Sequence, residues 1–222
     1  MGQRVAALAA LAAVLAGTAL GAATPVSPTP GARVSTLRPE FSWTLPSNEQ
    51  SKGIVISDRP DVTPAGQFLD EDVVAAGTFS TDVHTWSPSS PLYSGHYWWL
   101  VWSRDRATSN DHFSTPTDFT IPVSLRILPV RTVRSTYLRL LALKVRWRSN
   151  VHSVRLRLRL LRKHRVVWQL MDSEPNVLGS TGAKTVAWYR PRRMKRGTRL
   201  TLQVILRTGG ARKTRALAVR AP

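Results

Sequence analysis

From Tyr97 the chain alternates large apolar side chains on both of its faces. Tyr97, Trp99 and Val101 fall on one face, Trp98, Leu100 and Trp102 on the other. Such a strand is either central in a sandwich or offers one face to a partner. The same period of two recurs on both sides of it. Glu40 to Thr44 alternates, and Gly53 to Ser57 is a short buried-type run followed by the turn residues Asp58-Arg59-Pro60-Asp61. Val83–Ser87 and Phe113–Pro122 complete a set of six or seven short strands before residue 123. No stripe of helical period competes with them.

Beyond residue 123 the alternation becomes stricter. Leu141, Leu143, Val145 and Trp147 alternate with Ala142, Lys144, Arg146 and Arg148. Val154, Leu156, Leu158 and Leu160 alternate with Arg155, Arg157 and Arg159. A helix is the alternative for residues 154–168, but alternation held over seven residues favours a strand. Further strands are expected at 185–188, 199–206 and 214–219, with Thr208-Gly209-Gly210 as a hairpin turn between the last two. Short strands separated by turn signals predict an all-β chain of two tandem antiparallel β-sandwiches.

An internal echo supports two related halves. Trp86 precedes Gly95 by nine residues and Trp188 precedes Gly197 by nine. Leu92 and Met194 each stand three before the glycine, and Phe41-Ser-Trp43 has a counterpart in Val145-Arg-Trp147.

Charge places the boundary. Residues 24–123 carry six Lys+Arg against eleven Asp+Glu, a formal charge of −5. Residues 124–222 carry 25 basic residues and only Asp172 and Glu174 as acids, a formal charge of +23. The expected organisation is a signal peptide at 1–23, a first sandwich at 24–123 and a strongly basic second sandwich at 124–222. Ahead of both, Arg4 precedes an apolar run from Val5 to Leu20 and the small residues Gly21-Ala22-Ala23. That is the pattern of a secretory signal peptide, with cleavage after Ala23. An uncleaved anchor is the alternative, and the run falls short of the roughly 20 residues a span needs. The mature chain is expected to lack a transmembrane span and to be secreted or held at the cell surface.

The first half resembles a fibronectin type III domain of the bacterial secreted kind, over about residues 25–123. The residues that carry the resemblance are Pro39-Glu-Phe41-Ser-Trp43 and Leu92-Tyr-Ser-Gly95-His-Tyr97-Trp-Trp99-Leu-Val101. The resemblance implies that Tyr97 is the corner tyrosine whose hydroxyl bonds back to nearby backbone. The second half resembles the fibronectin type III/immunoglobulin-like group through the echo alone, with Arg199 and Leu200 where that tyrosine would stand. Modules of this kind usually act as spacers, adhesion units or binding domains. One departure from the family pattern concerns Trp98, Leu100 and Trp102, whose positions are commonly polar or Arg in relatives. Either they pack under a loop or against the second half, or they form a partner or glycan contact surface.

Chemistry that the sequence excludes narrows the rest. There is no cysteine, so disulfides, Cys-ligated zinc, Cys nucleophiles and lipid attachment at an N-terminal Cys are ruled out. The five histidines follow no metal-ligand spacing and no GxSxG turn occurs, so no catalytic residue, cofactor or metal is assigned. A net charge of +19 instead points to anionic partners. Arg155, Arg157 and Arg159 recur about 6.7 Å apart on one strand face. Lys144, Arg146 and Arg148 supply a second row, and whether the two rows share a sheet depends on whether Ser149-Asn150-Val151 is a hairpin or a crossover. Arg192, Arg193, Lys195, Arg196 and Arg199 form a separate cluster in a loop before a strand.

These residues predict a non-catalytic interaction or structural module bound to an anionic cell-envelope polymer, with non-specific nucleic acid as a ligand of the same chemistry. The alternative is a protein–protein adhesion or scaffold module, bound to a surface protein, whose arginines only solubilise it. An arginine excess over lysine of this kind also arises from GC-rich coding alone.

Overall fold

The computed structural model describes residues 22–135, 137–176, 181–208 and 211–222. The segment up to residue 21, where a signal peptide is expected, and Gly209-Gly210, where a hairpin turn is expected, lie outside the described residues.

In the first half, β1 (Thr24–Ser27), β2 (Ala32–Arg33), β3 (Phe41–Thr44), β4 (Glu49–Ser57), β5 (Val73–Thr78), β6 (Thr85–Trp86), β7 (Gly95–Asp105), β8 (Asp111–Phe113) and β9 (Thr117–Ile121) form two sheets. One has the order β1-β3-β6. The other runs β2-β9-β7-β4-β5, with β8 also on β7. Every ladder is antiparallel except β2 on β9, where Ala32 pairs with Phe119 and Arg33 with Thr120 in parallel. The alternation on β7 resolves as two environments. Tyr97, Trp99 and Val101 enter the core between the sheets with Phe41, Trp43, Ile54, Ile56, Phe119 and Ile121. Ala23, just before β1, is 4% exposed and belongs to the same core.

The second half contains β10 (Leu125–Ile127), β11 (Arg131–Ser135), β12 (Leu140–Ser149), β13 (Ser153–Arg162), β14 (Arg165–Pro175), β15 (Gly182–Tyr189), β16 (Arg199–Thr208) and β17 (Ala211–Arg220). Residues 154–168 are strand, turn and strand, not helix. β10 and β11 both pair with one side of β12, and β15 pairs with the other. The facing sheet has the order β14-β13-β16-β17. Alternation fixes the register: Leu141, Leu143, Val145 and Trp147 of β12 meet Val154, Leu156, Leu158 and Leu160 of β13 in a second core that shares no residue with the first. Each fully buried aliphatic side chain contributes roughly 1.5–3 kcal/mol to holding the sheets together.

Strand for strand, the two halves have the same order. β1-β3-β6 opposite β5-β4-β7-β9 corresponds to β10/β11-β12-β15 opposite β14-β13-β16-β17. The echoing residues occupy matching places. Trp86 and Trp188 lie on β6 and β15, Trp43 and Trp147 on β3 and β12, and Leu92 and Met194 are buried in the corners that follow β6 and β15. In the first corner Tyr97 donates its hydroxyl to the Tyr93 carbonyl at 2.9 Å, as the resemblance implied. In the second, where no tyrosine is available, the Arg190 guanidinium donates to the Met194 carbonyl.

Asn150 ties the halves at their junction. Its amide donates to the Pro122 carbonyl at 2.9 Å and its side-chain oxygen accepts from Ser124 N–H at 2.7 Å. Its own carbonyl accepts from Ser94 N–H at 2.7 Å, and the Tyr93 ring stacks on His152 with centroids 3.6 Å apart. Asn150 is 4% exposed, so these bonds satisfy a side chain that could not otherwise be buried cheaply.

Candidate polyanion-binding surface

Ser149-Asn150-Val151 leads from β12 in one sheet to β13 in the other, so the link is a crossover. This separates the basic rows. On β12, the inward residues are Leu141 to Trp147, and Lys144, Arg146 and Arg148 face out on one side of the sandwich, where Arg148 pairs with Arg126 and Lys144 with Arg131. On β13, Arg155, Arg157 and Arg159 face out on the opposite side. Arg192, Arg193, Lys195 and Arg196 are exposed in the β15–β16 loop, around the buried Met194. The two rows therefore lie on different sheets, which the sequence left open, and the cluster from Arg192 to Arg196 lies in a loop.

Neighbouring strands add to the β13 face so as to set arginines side by side across three strands. Arg155 lies directly opposite Arg207 on β16, and Arg207 directly opposite Arg212 on β17. Three arginines thus form a row across three adjacent strands, at the roughly 4.8 Å strand spacing of a sheet. Like charges directly opposite one another destabilise a ladder. No carboxylate offsets them on this face among the described residues, since Asp172 and Glu174 pair with the inward Leu156 and Val154. Arg159 donates to the Gln169 side chain at 3.0 Å. Ile205, opposite Arg157, is 1% exposed although it stands on the outer face.

Both acids of the second half are engaged elsewhere. Lys184, on the inward side of β15, reaches the edge of β14 and sits 2.8 Å from Asp172 and 2.8 Å from Glu174. These hydrogen bonds hold the Asp172 carboxyl below its usual range and the Lys184 ammonium above its own. Lys184 is the only cation of the second half in an ion pair among the described residues.

In the first half, the outer face of β7 departs from its prediction at one residue. Leu100 is 0% exposed and so cannot contact a partner; it lies outside the core between the sheets, opposite Val55. Residues of β8 and of the loop after β4 lie near this face. Phe113 of β8 pairs with Trp102 and stacks on it at 6.4 Å, and Gly66 of the loop approaches Phe113. Trp98 and Trp102 remain half-buried. Trp98 stacks on His96 at 4.4 Å, and the Arg104 guanidinium lies 5.9 Å from the centre of Trp102.

The acidic loop between β7 and β8 is occupied by its own backbone. Asp105 accepts from the N–H groups of Ala107 and Thr108 at 2.8 and 2.7 Å and from the Asn48 amide at 2.6 Å, while Asp111 is paired with Arg104. Among the described residues no group of three potential metal ligands occurs. The Thr108 and Asn48 bonds lower the Asp105 carboxyl from 3.8 to about 2. A carboxyl with a lowered folded pKa stabilises the fold above its unfolded pKa and loses that contribution on acidification. The stability due to this loop is therefore complete above about pH 4 and disappears between about pH 4 and about pH 2. A carbon-detected NMR titration should place the Asp105 midpoint near the lower value, and Asn48→Ala should raise it. A midpoint at the ordinary aspartate value in the unsubstituted chain would contradict this account.

The sequence pointed to Arg155, Arg157 and Arg159 but missed Arg207 and Arg212. The Thr208-Gly209-Gly210 sequence carried the signal, because pairing Thr208 with Ala211 sets Arg207 opposite Arg212.

No protein-family model matches the chain, and no curated protein matches it. Among solved structures it is similar to the FN1–FN3 domains of chicken CNTN1, at 13% identity and a TM-score of 0.30, over 90% of this chain and 66% of that one. It is also similar to a DUF3823 family protein from Bacteroides ovatus, at 12% identity and a TM-score of 0.32, over 77% and 88% of the two chains. A third is the BSP domain of a biofilm associated protein, at 13% identity and a TM-score of 0.26, over 88% of this chain and 29% of that one. At these TM-scores none carries an argument about function. The all-β sandwich architecture rests on the strand orders and the two cores. No described helix is long and apolar enough to cross a membrane.

Proposed function

We propose that this chain is an exported, non-catalytic interaction module whose second half binds an anionic cell-envelope polymer on the outer face of β13, β16 and β17. The observation that carries the reading is the row Arg155–Arg207–Arg212, which sets like charges opposite one another with no carboxylate on the face among the described residues. A polymer with an anionic group on each repeat neutralises such a row and releases its counterions. Duplex DNA meets the same surface by its phosphates alone, because no motif for reading bases is present. The leader-like segment ahead of Ala23 supports export.

The test is binding of the full chain to a purified anionic wall polysaccharide, with duplex DNA as reference polyanion, across a salt series. Affinity should fall steeply with salt. The triple variant R155S/R207S/R212S should bind at least tenfold more weakly at 50 mM salt, with a salt slope shallower by about 2–3, since each neutralised anion contributes about 0.7–0.9. Unchanged affinity and slope in the triple variant would remove the face from consideration.

A second reading, contact with a surface protein, is favoured by Trp98 and Trp102. They keep part of their ring surface exposed on the other half of the chain, with Arg104 beside Trp102. Half-exposed aromatics beside an arginine are the residue types that anchor protein interfaces.

A further inference from the structure

The end of the second half remote from Asn150 holds a concave cationic site, reached by Arg199 and Arg220 from the same outward register of β16 and β17 as Arg207 and Arg212 but at the opposite end of the strands. A groove of about 930 Å³ opens there, lined by Arg134 of β11, Arg162 and Lys163 of the β13–β14 turn, Arg199 of β16 and Arg220 of β17. Leu141, Leu200 and Val219 supply apolar wall between them. Arg199 and Arg220 are directly opposite each other in the β16–β17 ladder, so two guanidinium groups start from adjacent backbones. None of the residues lining the groove is acidic.

Comparison of the two long sides of this sandwich sharpens the point. On the side where β14 meets β15, the inward Lys184 is matched by Asp172 and Glu174. On the side where β11 meets β17, Arg134 stands on the inward register of its strand, opposite Leu141, and no described carboxylate answers it. The same fold therefore pairs its inward cation with carboxylates on one side and, among the described residues, does not on the other.

The backbone adds an independent observation. Arg162 pairs with Arg165 across a two-residue turn whose central residues, Lys163 and His164, have φ of 45° and 67°. Residues with side chains avoid this left-handed region, and such turns normally take Asn-Gly. Arg139, in the turn between β11 and β12, has φ 52°, and its carbonyl accepts from Arg190 N–H at 2.8 Å. Strained backbone held in place by the surrounding structure is a feature that clusters at ligand sites.

We infer that this groove is a binding site for a compact polyphosphorylated anion, held by Arg134, Arg162, Lys163, Arg199 and Arg220. Four arginines and one lysine line a single concavity. Arginine forks match phosphate oxygens two at a time, and several phosphates in one small ligand neutralise several cations together. A carboxylate chain places only one charge on each group and meets fewer of them. The site does not depend on the polymer reading of the β13 face.

Isothermal titration of the full chain with inorganic tripolyphosphate tests it. One equivalent should bind, R199S/R220S should weaken binding at least tenfold, and R155S/R207S/R212S should stay within twofold of the unsubstituted chain. The triple variant loses more charge than the double, so generic attraction predicts the opposite ranking. That ranking, or a double variant that binds normally, would overturn the site. Should R199S/R220S lose its folding transition, R162S/K163S in the exposed turn must show the same tenfold loss, and normal binding by it overturns the proposal. Long-chain polyphosphate competing per chain end would identify a polymer terminus as the source, and competition per phosphate would identify internal segments. Polyglutamate competing as well as tripolyphosphate would overturn the phosphate assignment. Wall-polymer affinity and salt slope unchanged in R155S/R207S/R212S, with tripolyphosphate binding retained, refute the face and leave the groove standing.

Discussion

Trp99→Ala should lower the unfolding free energy of the first half by about 3–5 kcal/mol, the range for deleting a fully buried large aromatic. Trp99 is 0% exposed, and its ring meets Phe41 edge-on at 5.0 Å, while Phe41 in turn meets Phe119 at 5.4 Å. Removing it empties the centre of a core whose remaining walls belong to two hydrogen-bonded sheets and cannot close in. Trp99→Phe should cost clearly less than Trp99→Ala. The indole N–H is buried without a hydrogen-bond partner, so phenylalanine discards an unsatisfied donor while keeping the aromatic contacts. Urea denaturation followed by tryptophan fluorescence reads both. Because the two cores share no residue, only the transition of the first half should move. A loss below about 1 kcal/mol for the alanine variant would mean that the face of β7 bearing Tyr97, Trp99 and Val101 does not organise this sandwich.

Gly182→Ala should destabilise the second half by about 3 kcal/mol, the upper part of the range for overpacking a core. Gly182 pairs with Trp147, and a methyl group placed on it would stand 2.6 Å from Cζ2 of that indole and closer still to Nε1. Trp147 is 1% exposed between two sheets and has nowhere to retreat. The requirement is for space, not for an unusual backbone angle. The first half has its own version: a methyl on Gly77 would lie 2.7 Å from Cε2 of Trp86. Thermal denaturation gives the measurement, and a Gly182→Ala chain as stable as the parent would show that Trp147 is not packed on β15.

The strands that were legible in the sequence are the ones buried on one face and solvated on the other. β12 and β13 could be read residue by residue, because Leu and Val alternate with Arg and Lys without interruption. β14 escaped because it is an edge strand: Val166, Val167 and Met171 are exposed and its polar residues follow no period. β5 escaped because Ala75, Ala76 and Gly77 are too small to register as a pattern. Leu100 shows the limit of period two, which assigns a face but not what folds over it. The arginines of β13 were visible as a row, yet their partners Arg207 and Arg212 come from a hairpin some fifty residues later. The groove was out of reach for a stronger reason. Its five cations come from β11, β16, β17 and a turn, and no local spacing brings Arg134 to Arg220.

One difference between the halves bears on how the chain carries tension. In the first half β2 runs parallel to β9, with Gly31 N–H bonded to the Asp118 carbonyl at 3.1 Å and Val34 N–H to the Thr120 carbonyl at 2.9 Å. Pulling the ends of that half apart loads these bonds side by side, in shear, so that they must fail together. In the second half β10 and β11 bond only to β12 and β17 bonds only to β16. Its first and last strands have no described backbone ladder between them, and a pull on its ends is resisted by packing and by each hairpin in turn. If the proposed polymer contact holds the basic half, the held sandwich is the compliant one, and single-molecule pulling should show it yielding before the first half, whose β2–β9 bonds are loaded in shear.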